Sequence, residues 1–214
     1  MQLPVHNFQD ITIVAVSKTK PLSDVEELLS HGVMEFGENK VQEMVDKYEH
    51  VSKPVHWHLI GHLQTNKVKY IVDKACLIHS VDSVHLAKEI EKEAAKKGVV
   101  AKVLLEVNIA QEETKFGIRE DEVYALIDAI KDMPHVHVMG PMTIAPFVEN
   151  PEENRVYFRK MHQLSLDIKS KCIDNIDMSV LSMGMTNDYE IAVEEGATMI
   201  RVGTAIFGAR NYNI

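Results

Sequence analysis

Short apolar segments alternate with amphipathic helical segments along this chain from end to end. The predicted strands cover residues 12–17, 33–36, 56–60, 77–80, 101–108, 136–143, 178–182 and 199–202. The predicted helices cover residues 23–31, 40–49, 65–72, 84–97, 120–131, 151–170 and 188–194. Regular alternation of strand and helix predicts βαβ units and a parallel sheet, which leaves only a few α/β architectures open.

Two of the predicted strands are runs of apolar and β-branched residues, as expected for parallel strands that are covered on both faces. They are Ile11–Val16 and Val103–Leu105. Eight strands in this alternation predict a closed (β/α)8 TIM barrel, and a doubly wound open sheet is the alternative that periodicity leaves open. No linker or change of composition divides the sequence, so we expect a single domain over residues 1–214.

The charge of the chain argues against a nucleic-acid partner. There are 23 lysines and arginines against 32 aspartates and glutamates, a formal net charge of −9. An acidic surface repels a phosphate backbone. No apolar run is long enough to span a bilayer, and residues 1–6 lack a signal-peptide pattern, so we expect a cytoplasmic protein. Cys76 and Cys172 lie far apart and predict reduced thiols rather than a disulfide framework.

Eleven histidines raise the question of a metal site. His56 and His58 alternate along one predicted strand, as do His135 and His137 along another, so either pair could ligate one ion. Neither pair has a third ligand at a familiar spacing, and the sequence contains no H-E-x-x-H motif. We therefore expect no metal cofactor.

Glycines at the ends of predicted strands mark one face of the barrel as the functional one. Gly37, Gly61, Gly184 and Gly203 lie at or just after the carboxyl ends of strands. Glycine at such a position lets the backbone turn sharply or approach a ligand closely. In a parallel barrel all of these strand ends meet on the face that carries the active site.

Lys18 follows the first strand and is the candidate reactive residue. It shares the parity of Val14 and Val16, so it faces the barrel interior if they do. A lysine at the end of a buried strand is desolvated, which lowers its pKa and frees the amine for Schiff-base chemistry. Taken alone, Lys18 could equally be a surface lysine on a loop. We favour that interpretation for Lys20, which precedes Pro21 at the exit of the strand.

The last two predicted strands run into turns that suit a phosphate group. Residues 182–186 read Ser-Met-Gly-Met-Thr and residues 200–205 read Ile-Arg-Val-Gly-Thr-Ala, so each turn offers a hydroxyl and a glycine N–H. Loops after strands 7 and 8 frequently bind phosphate in barrel enzymes. Two such turns on the correct strands predict a phosphate site, although small-residue turns also occur without a ligand.

Arg201 precedes the second of these turns and has the parity of Gly203. A guanidinium group only donates hydrogen bonds, so a heterocyclic nitrogen that faces it must accept and stay unprotonated. A pyridine ring held in this way is a poor electron sink, which would restrain carbanion chemistry. A salt bridge between Arg201 and an acidic residue is the alternative interpretation.

Three other residues near strand ends carry weaker signals. Asn39 could bind a ligand or cap the following helix. Met142 could pack against a flat ring or simply fill the core. We expect Lys115 to be a solvated loop residue rather than a second reactive lysine.

Five segments, taken together, closely resemble the pyridoxal phosphate homeostasis protein family, also described as YggS/PROSC-like and related to the barrel domain of alanine racemase. The segments are Ala15–Pro21, Phe36–Asn39, His58–Lys67, Leu181–Met185 and Ile200–Gly208. They occur in order through nearly the whole chain, which makes the set highly specific. The sequence departs from the family where Lys40 replaces a common tyrosine and Pro141 a common leucine.

The resemblance implies a fold-type III barrel without the second β domain of alanine racemase. It implies that Lys18 carries pyridoxal 5′-phosphate (PLP) as an internal aldimine, and that Arg201 faces the pyridine nitrogen. The other cofactor-binding residues that it implies are Asn39 and Met142 at the ring, and Ser182, Met183, Gly184, Gly203 and Thr204 along the two phosphate turns.

The resemblance also implies a monomer that contributes to intracellular PLP homeostasis without established turnover, with apo-enzymes as candidate recipients of the cofactor. Racemisation needs an acid–base group on each face of the substrate. Alanine racemase takes one from its second domain, for which Tyr212 is a poor substitute. The alternatives are a racemase-like enzyme with weak activity and a Schiff-base aldolase without a cofactor.

Overall fold

The computed structural model describes residues 11–208, and within them eight parallel strands close into a barrel in sequence order. The strands are β1 Thr12–Val16, β2 Glu35–Glu38, β3 His56–Leu59, β4 Ala75–Val81, β5 Ala101–Glu106, β6 Val136–Met142, β7 Ser182–Met185 and β8 Met199–Val202. The predicted TIM barrel is confirmed, and β1 pairs with β8, which excludes the open sheet. Residues 1–6 and Tyr212, which entered the sequence argument, lie outside the described residues.

Helices connect the strands on the outside of the barrel, as the alternation predicts. They are α1 Leu22–Ser30, α2 Val41–His50, α3 Val68–Ile71, α4 Val84–Lys97, α5 Val123–Ile130, α6 Arg155–Ser170, α7 Tyr189–Glu194 and α8 Thr204–Phe207. Short 3-10 turns at Thr65–Lys67, Glu120–Glu122 and Pro151–Asn154 precede α3, α5 and α6. Within residues 11–208, no helix combines the length and the apolar character that crossing a bilayer requires.

Local sequence signals set where helices begin and end. Ser83 caps α4, because its side-chain oxygen accepts a hydrogen bond from the Leu86 N–H at 3.3 Å. The helix ends at Gly98, whose φ of 65° is the left-handed conformation that a C-terminal glycine supplies. Gly32 and Gly196 follow α1 and α7 with φ values of 89° and 101°.

The seventh strand lies later in the chain than predicted. The apolar run 178–182 was expected to be the strand, whereas β7 begins at Ser182. Met178 has a φ of 52°, so the backbone cannot be extended through the start of that run. The residues before β7 instead run beside β6, where the Val180 N–H donates a hydrogen bond to the Met139 carbonyl at 2.9 Å.

The barrel separates two apolar layers. The outer layer lies between strands and helices and contains the largest fully buried side chains, including Trp57, Phe36 and Phe158. The inner layer lies inside the barrel and is smaller. Its buried members are Val14, Leu77, Leu104, Met142 and Met199. Polar side chains share the barrel interior with this inner layer, which places them where a site can form.

Candidate functional site

Lys18 lies on a tight turn directly after β1 and is half-buried. The turn is closed by a hydrogen bond from the Lys20 N–H to the Ser17 carbonyl at 3.0 Å. Thr19 has a φ of 64°, a left-handed conformation that is unfavourable for a β-branched residue. Backbone strain of this kind persists only where the surroundings enforce it, and it concentrates at functional sites.

A buried ion cluster enforces the Lys18 turn. Lys47, which is 4% exposed, donates to the Ser17 carbonyl at 2.8 Å, to Glu38 at 2.7 Å and to Glu43 at 2.9 Å. Glu43 also accepts from the Thr19 N–H at 2.6 Å, and the Ser17 hydroxyl donates to Glu38 at 2.5 Å. Burial raises the pKa of Glu38, although Lys47 opposes the rise. Sequence reasoning missed this cluster, for which the i,i+4 spacing of Glu43 and Lys47 was the available signal.

Arg201 lies inside the barrel, where it is 3% exposed. Its Nη1 donates to the Ser182 hydroxyl at 2.6 Å and its Nη2 donates to the Thr143 carbonyl at 2.8 Å. Burial lowers the pKa of Arg201 to about 10, so it stays charged at neutral pH. Among residues 11–208, no carboxylate forms a salt bridge with it, so the alternative interpretation of Arg201 does not hold there. A buried cation bonded only to neutral oxygens is suited to a ligand that accepts hydrogen bonds.

A row of polar side chains continues from Ser182 through the barrel interior. The Ser182 oxygen lies 3.3 Å from His79 Nδ1, and His79 Nε2 lies 2.9 Å from His58 Nδ1. His58 Nε2 lies 2.7 Å from a carboxylate oxygen of Glu35, at the amino end of β2. Burial, His58 and Arg201 together lower the pKa of His79 well below its ordinary value.

The Glu35 end of this row brings together side chains of three types that can bind a metal ion. Ligand atoms of Glu35, His58 and Cys76 lie within 4.8 Å of one another. The two oxygens of Glu35 already contact His56 Nδ1 at 2.6 Å and His58 Nε2 at 2.7 Å. Hydrogen bonding therefore accounts for the approach of Glu35 to the two histidines, and of these side chains the sequence had singled out only the histidines.

The two predicted phosphate turns meet, but their glycines have different surroundings. The Gly203 N–H donates to the Thr186 hydroxyl at 3.2 Å, which joins the turns after β7 and β8. A Cβ at Gly203 would meet nothing nearer than Val16, at 3.5 Å, so packing does not require glycine there. A Cβ at Gly184 would lie 2.5 Å from the Ala192 Cβ, so Gly184 is required for the approach of α7.

Two of the implied cofactor residues have side chains that do not face the phosphate turns. The Met183 side chain is fully buried in the outer layer, so only the backbone of Met183 could face a ligand inside the barrel. The Ser182 hydroxyl is fully buried and is engaged by Arg201 and His79, so its bonds run into the barrel interior rather than toward the turn. Thr186, which the set of implied residues omitted, supplies the hydroxyl that reaches Gly203.

The remaining implied residues lie near the same end of the barrel. Met142 belongs to the inner layer and is fully buried. Asn39 follows β2 and is half-buried; it does not cap α2, whose N-cap residue is Lys40. A Cβ at Gly61 would lie 2.4 Å from the Asn39 carbonyl oxygen, so Gly61 permits this close approach. Thr204 is exposed at the first position of α8.

Glu106 is a buried acidic residue that sequence reasoning missed. It ends β5, is 6% exposed, and its Oε2 has no hydrogen-bond partner among residues 11–208. Burial raises its pKa to about 7, Asp82 adds to the rise, and Arg201 opposes it. Its parity with Leu104, which lies two residues earlier in the same strand, was the signal that could have identified an inward-facing carboxyl group.

These features define a (β/α)8-barrel protein with a candidate small-molecule site at the carboxyl ends of its strands. The chain belongs to the family described as Alanine racemase, N-terminal domain, whose profile matches residues 6–211. Within it, the chain is similar to pyridoxal phosphate homeostasis proteins. The protein of that name from Aquifex aeolicus (strain VF5) is 45% identical over 201 residues, which cover 94% of this chain and 87% of the relative. The resemblance drawn from the five segments is confirmed.

Solved structures agree with this placement. PipY from Synechococcus elongatus PCC7942, solved with PLP bound, is 32% identical, has a TM-score of 0.86, and matches over 97% of this chain and 95% of its own. Alanine racemase from Clostridium difficile 630 is 14% identical, with a TM-score of 0.78 over 97% of this chain, and shares the fold. The match covers 55% of that racemase chain.

Proposed function

We propose that this protein binds pyridoxal 5′-phosphate at the carboxyl ends of its strands, holds it covalently on Lys18, and contributes to PLP homeostasis. The observation that carries the proposal is the buried Arg201 guanidinium, which lies beside the Gly203 turn and, among residues 11–208, is hydrogen-bonded only to neutral oxygens. An unprotonated pyridine nitrogen accepts a hydrogen bond, so it suits this cation, which only donates. The names of the similar proteins and the PLP bound to PipY support the same ligand.

The turns after β7 and β8 fit the phosphate group. The Gly203 N–H and the Thr186 hydroxyl already meet at 3.2 Å, and a Cβ at Gly203 would make only ordinary van der Waals contact with Val16, at 3.5 Å. Backbone N–H groups and hydroxyls are the usual donors to phosphate. We assign the phosphate to Thr186, Gly203 and Thr204, with the Gly184 backbone as a neighbour, and the ring to Asn39 and Met142.

Lys18 supplies the covalent bond in this proposal. The aldehyde of PLP condenses with a primary amine and releases one water molecule. The strained turn and the Lys47 cluster fix the backbone from which the Lys18 side chain extends. Arg201, which cannot accept a proton, keeps a facing ring nitrogen unprotonated and so weakens electron withdrawal. These residues suit retention of the cofactor better than its use in turnover.

The test is a visible absorbance titration of the purified protein with PLP, followed by borohydride reduction and peptide mapping. We expect the parent to develop a visible band and the reduced adduct to lie on Lys18. Lys18→Ala should lose both. The matched control is Lys115→Ala, because Lys115 is a lysine of the β5–α5 loop whose amine lies 3.3 Å from Glu112. It should keep the band at parental intensity.

A folded parent without any band would refute PLP binding and would favour the cofactor-free aldolase. A band that survives in Lys18→Ala, or an adduct that maps to Lys115, would refute the assignment of Lys18 while leaving PLP binding intact.

A racemase-like activity is the second candidate function, and Glu106 is the observation that favours it. β5 lies opposite β1 in the closed barrel, so Glu106 and Lys18 end opposite strands. A carboxyl group with a pKa near 7 is suited to proton transfer at neutral pH. The discriminating measurement is deuterium exchange at the α-carbon of amino acids by the PLP-loaded protein. Exchange at enzymatic rates that Glu106→Gln abolishes would replace our proposal with this activity.

We also propose that the chain is a single domain over residues 1–214 that works as a cytoplasmic monomer and passes PLP to apo-enzymes. Free PLP is a reactive aldehyde, so a protein that sequesters it covalently limits indiscriminate modification of amines. Deletion of the gene should change the free and protein-bound pools of PLP and its precursors. Unchanged pools would contradict a role in homeostasis.

A further inference from the structure

We propose that Glu35, His58 and His79 are positioning residues, which act through Ser182 to hold Arg201 in place from the opposite end of the barrel. The link to the cofactor rests on the proposed function, because Arg201 is the residue assigned to the ring nitrogen. The link among the five side chains rests on the geometry of the protein alone.

The row crosses the barrel interior and has no contact with solvent over most of its length. His58 is 2% exposed, His79 and Ser182 are fully buried, and Arg201 is 3% exposed. Buried polar groups need hydrogen-bond partners, and these side chains supply them to one another. Glu35 begins β2 at the amino end of the barrel, whereas Arg201 lies near the carboxyl end of β8. The row therefore connects the two ends.

When both histidines are neutral, the two ends of the row fix the direction of every hydrogen bond in it. Burial raises the pKa of Glu35, but the hydrogen bonds from His58 and His56 outweigh burial and hold its pKa below the ordinary value. Glu35 is therefore ionised at neutral pH and only accepts. Arg201 only donates. The groups between them must donate toward Glu35.

The protons of the interior groups follow from this direction. His58 donates from Nε2 to Glu35 and accepts at Nδ1. His79 donates from Nε2 to His58 and accepts at Nδ1 from the Ser182 hydroxyl. The Ser182 oxygen accepts from Arg201 at 2.6 Å. The two neutral histidines are then both protonated on Nε2, and Ser182 has no proton left to give to a phosphate group.

Glu35 carries the negative charge at the end of the row that lies at the amino end of the barrel. The neighbouring Cys76 thiol is neutral, because burial and Glu35 raise its pKa to about 12. His56, which is exposed, contacts the other Glu35 oxygen at 2.6 Å. An amide in place of the Glu35 carboxylate could either accept from His58 or donate to it. The row would then lose its fixed direction, and Ser182 would no longer be a constant acceptor for Arg201.

The test uses NMR of the cofactor-free protein, with ¹⁵N-labelled histidine and arginine. We expect His58 and His79 in the parent to show only the Nε2–H tautomer at pH 7, and Arg201 to show resolved, slowly exchanging guanidinium signals. Glu35→Gln should populate the Nδ1–H tautomer of both histidines and broaden the Arg201 signals. The matched control is Glu91→Gln, which removes a carboxylate bonded to His135 at 2.8 Å on the outside of the barrel. It should change only His135.

A second readout is the affinity for pyridoxine 5′-phosphate, which has no aldehyde and so reports the non-covalent contacts alone. We expect Glu35→Gln to weaken this affinity about fivefold and Glu91→Gln to leave it unchanged, a size typical of one perturbed hydrogen bond. An Nδ1–H tautomer in the parent, or equal behaviour of the two variants, would overturn the inference. Failure of the parent to bind any PLP would instead refute the proposed function, while the tautomers still decide the network.

Discussion

The outer layer of this protein and the interior of its barrel are built from the same eight strands but filled differently. The outer layer packs Trp57, Phe36 and Phe158, each at most 1% exposed, between strands and helices. The interior combines a few aliphatic and methionine side chains with a charged guanidinium, two histidines and two carboxyl groups. Alternate residues of each strand therefore serve stability outside and ligand chemistry inside.

This difference predicts which substitutions should change the stability of the protein and which should change its site. Apolar burial outside the barrel stabilises the fold in proportion to the area removed from water. Polar groups inside cost free energy to bury unless they are bonded, so they are retained where a ligand or a network uses them. Substitutions in the outer layer should lower stability without changing the site, whereas substitutions inside should change the site, and those that remove a buried charge should also raise stability.

The largest effect is expected in the outer layer. Phe158→Ala removes a fully buried ring from α6 and should reduce the free energy of unfolding by about 3–5 kcal/mol. Urea denaturation measures the loss, and the PLP absorbance band at low temperature should match that of the parent. A folded variant with an altered band would show that the two layers are not independent.

The second-largest effect is expected inside the barrel, where a substitution should increase the free energy of unfolding. Folding raises the pKa of Glu106 from 4.5 to about 7, so the folded state binds the extra proton between these values. The parent should therefore lose stability as the pH rises through this window. Glu106→Gln, which has no charge to bury, should gain on the order of 3 kcal/mol at pH 8 and almost nothing at pH 4.5.

Denaturation curves at the two pH values check this prediction. Glu120→Gln is the control, because Glu120 is an exposed carboxylate and its loss should have no comparable pH dependence. An equal change at pH 4.5 and pH 8 would show that Glu106 acts through packing rather than through its charge.

The smallest effect is expected in the phosphate turns, whose two glycines should respond differently to substitution by alanine. Among residues 11–208, the methyl group of Gly203→Ala would meet Val16 no nearer than 3.5 Å, so the stability of the cofactor-free protein should be unchanged. Its affinity for PLP should fall about tenfold, or roughly 1.4 kcal/mol, because the methyl group occupies ligand space. Gly184→Ala is the counterpart, since its φ of 90° and the Ala192 contact should destabilise the fold. A normal affinity in Gly203→Ala would contradict the phosphate assignment.

Periodicity alone gave much of the fold correctly. The alternation of strands and helices, and the glycines after α1, α4 and α7, agree with the structure because both depend on short-range backbone preferences. The parity rule also placed Arg201 inside the barrel. The strand prediction failed at β7, because Met178 has a left-handed backbone that the apolar character of the run does not signal.

The sequence by itself determined the order of the elements, the face of the barrel that carries polar strand ends, and the lysine that ends β1. The tertiary structure decided which of these groups meet. Ser182 and His79 are 103 residues apart in the chain, and Arg201 and Thr143 are 58 residues apart. Only closure of the barrel and the relative shift of its strands bring such residues into contact, since local spacing carries no information about which strands face each other across the interior.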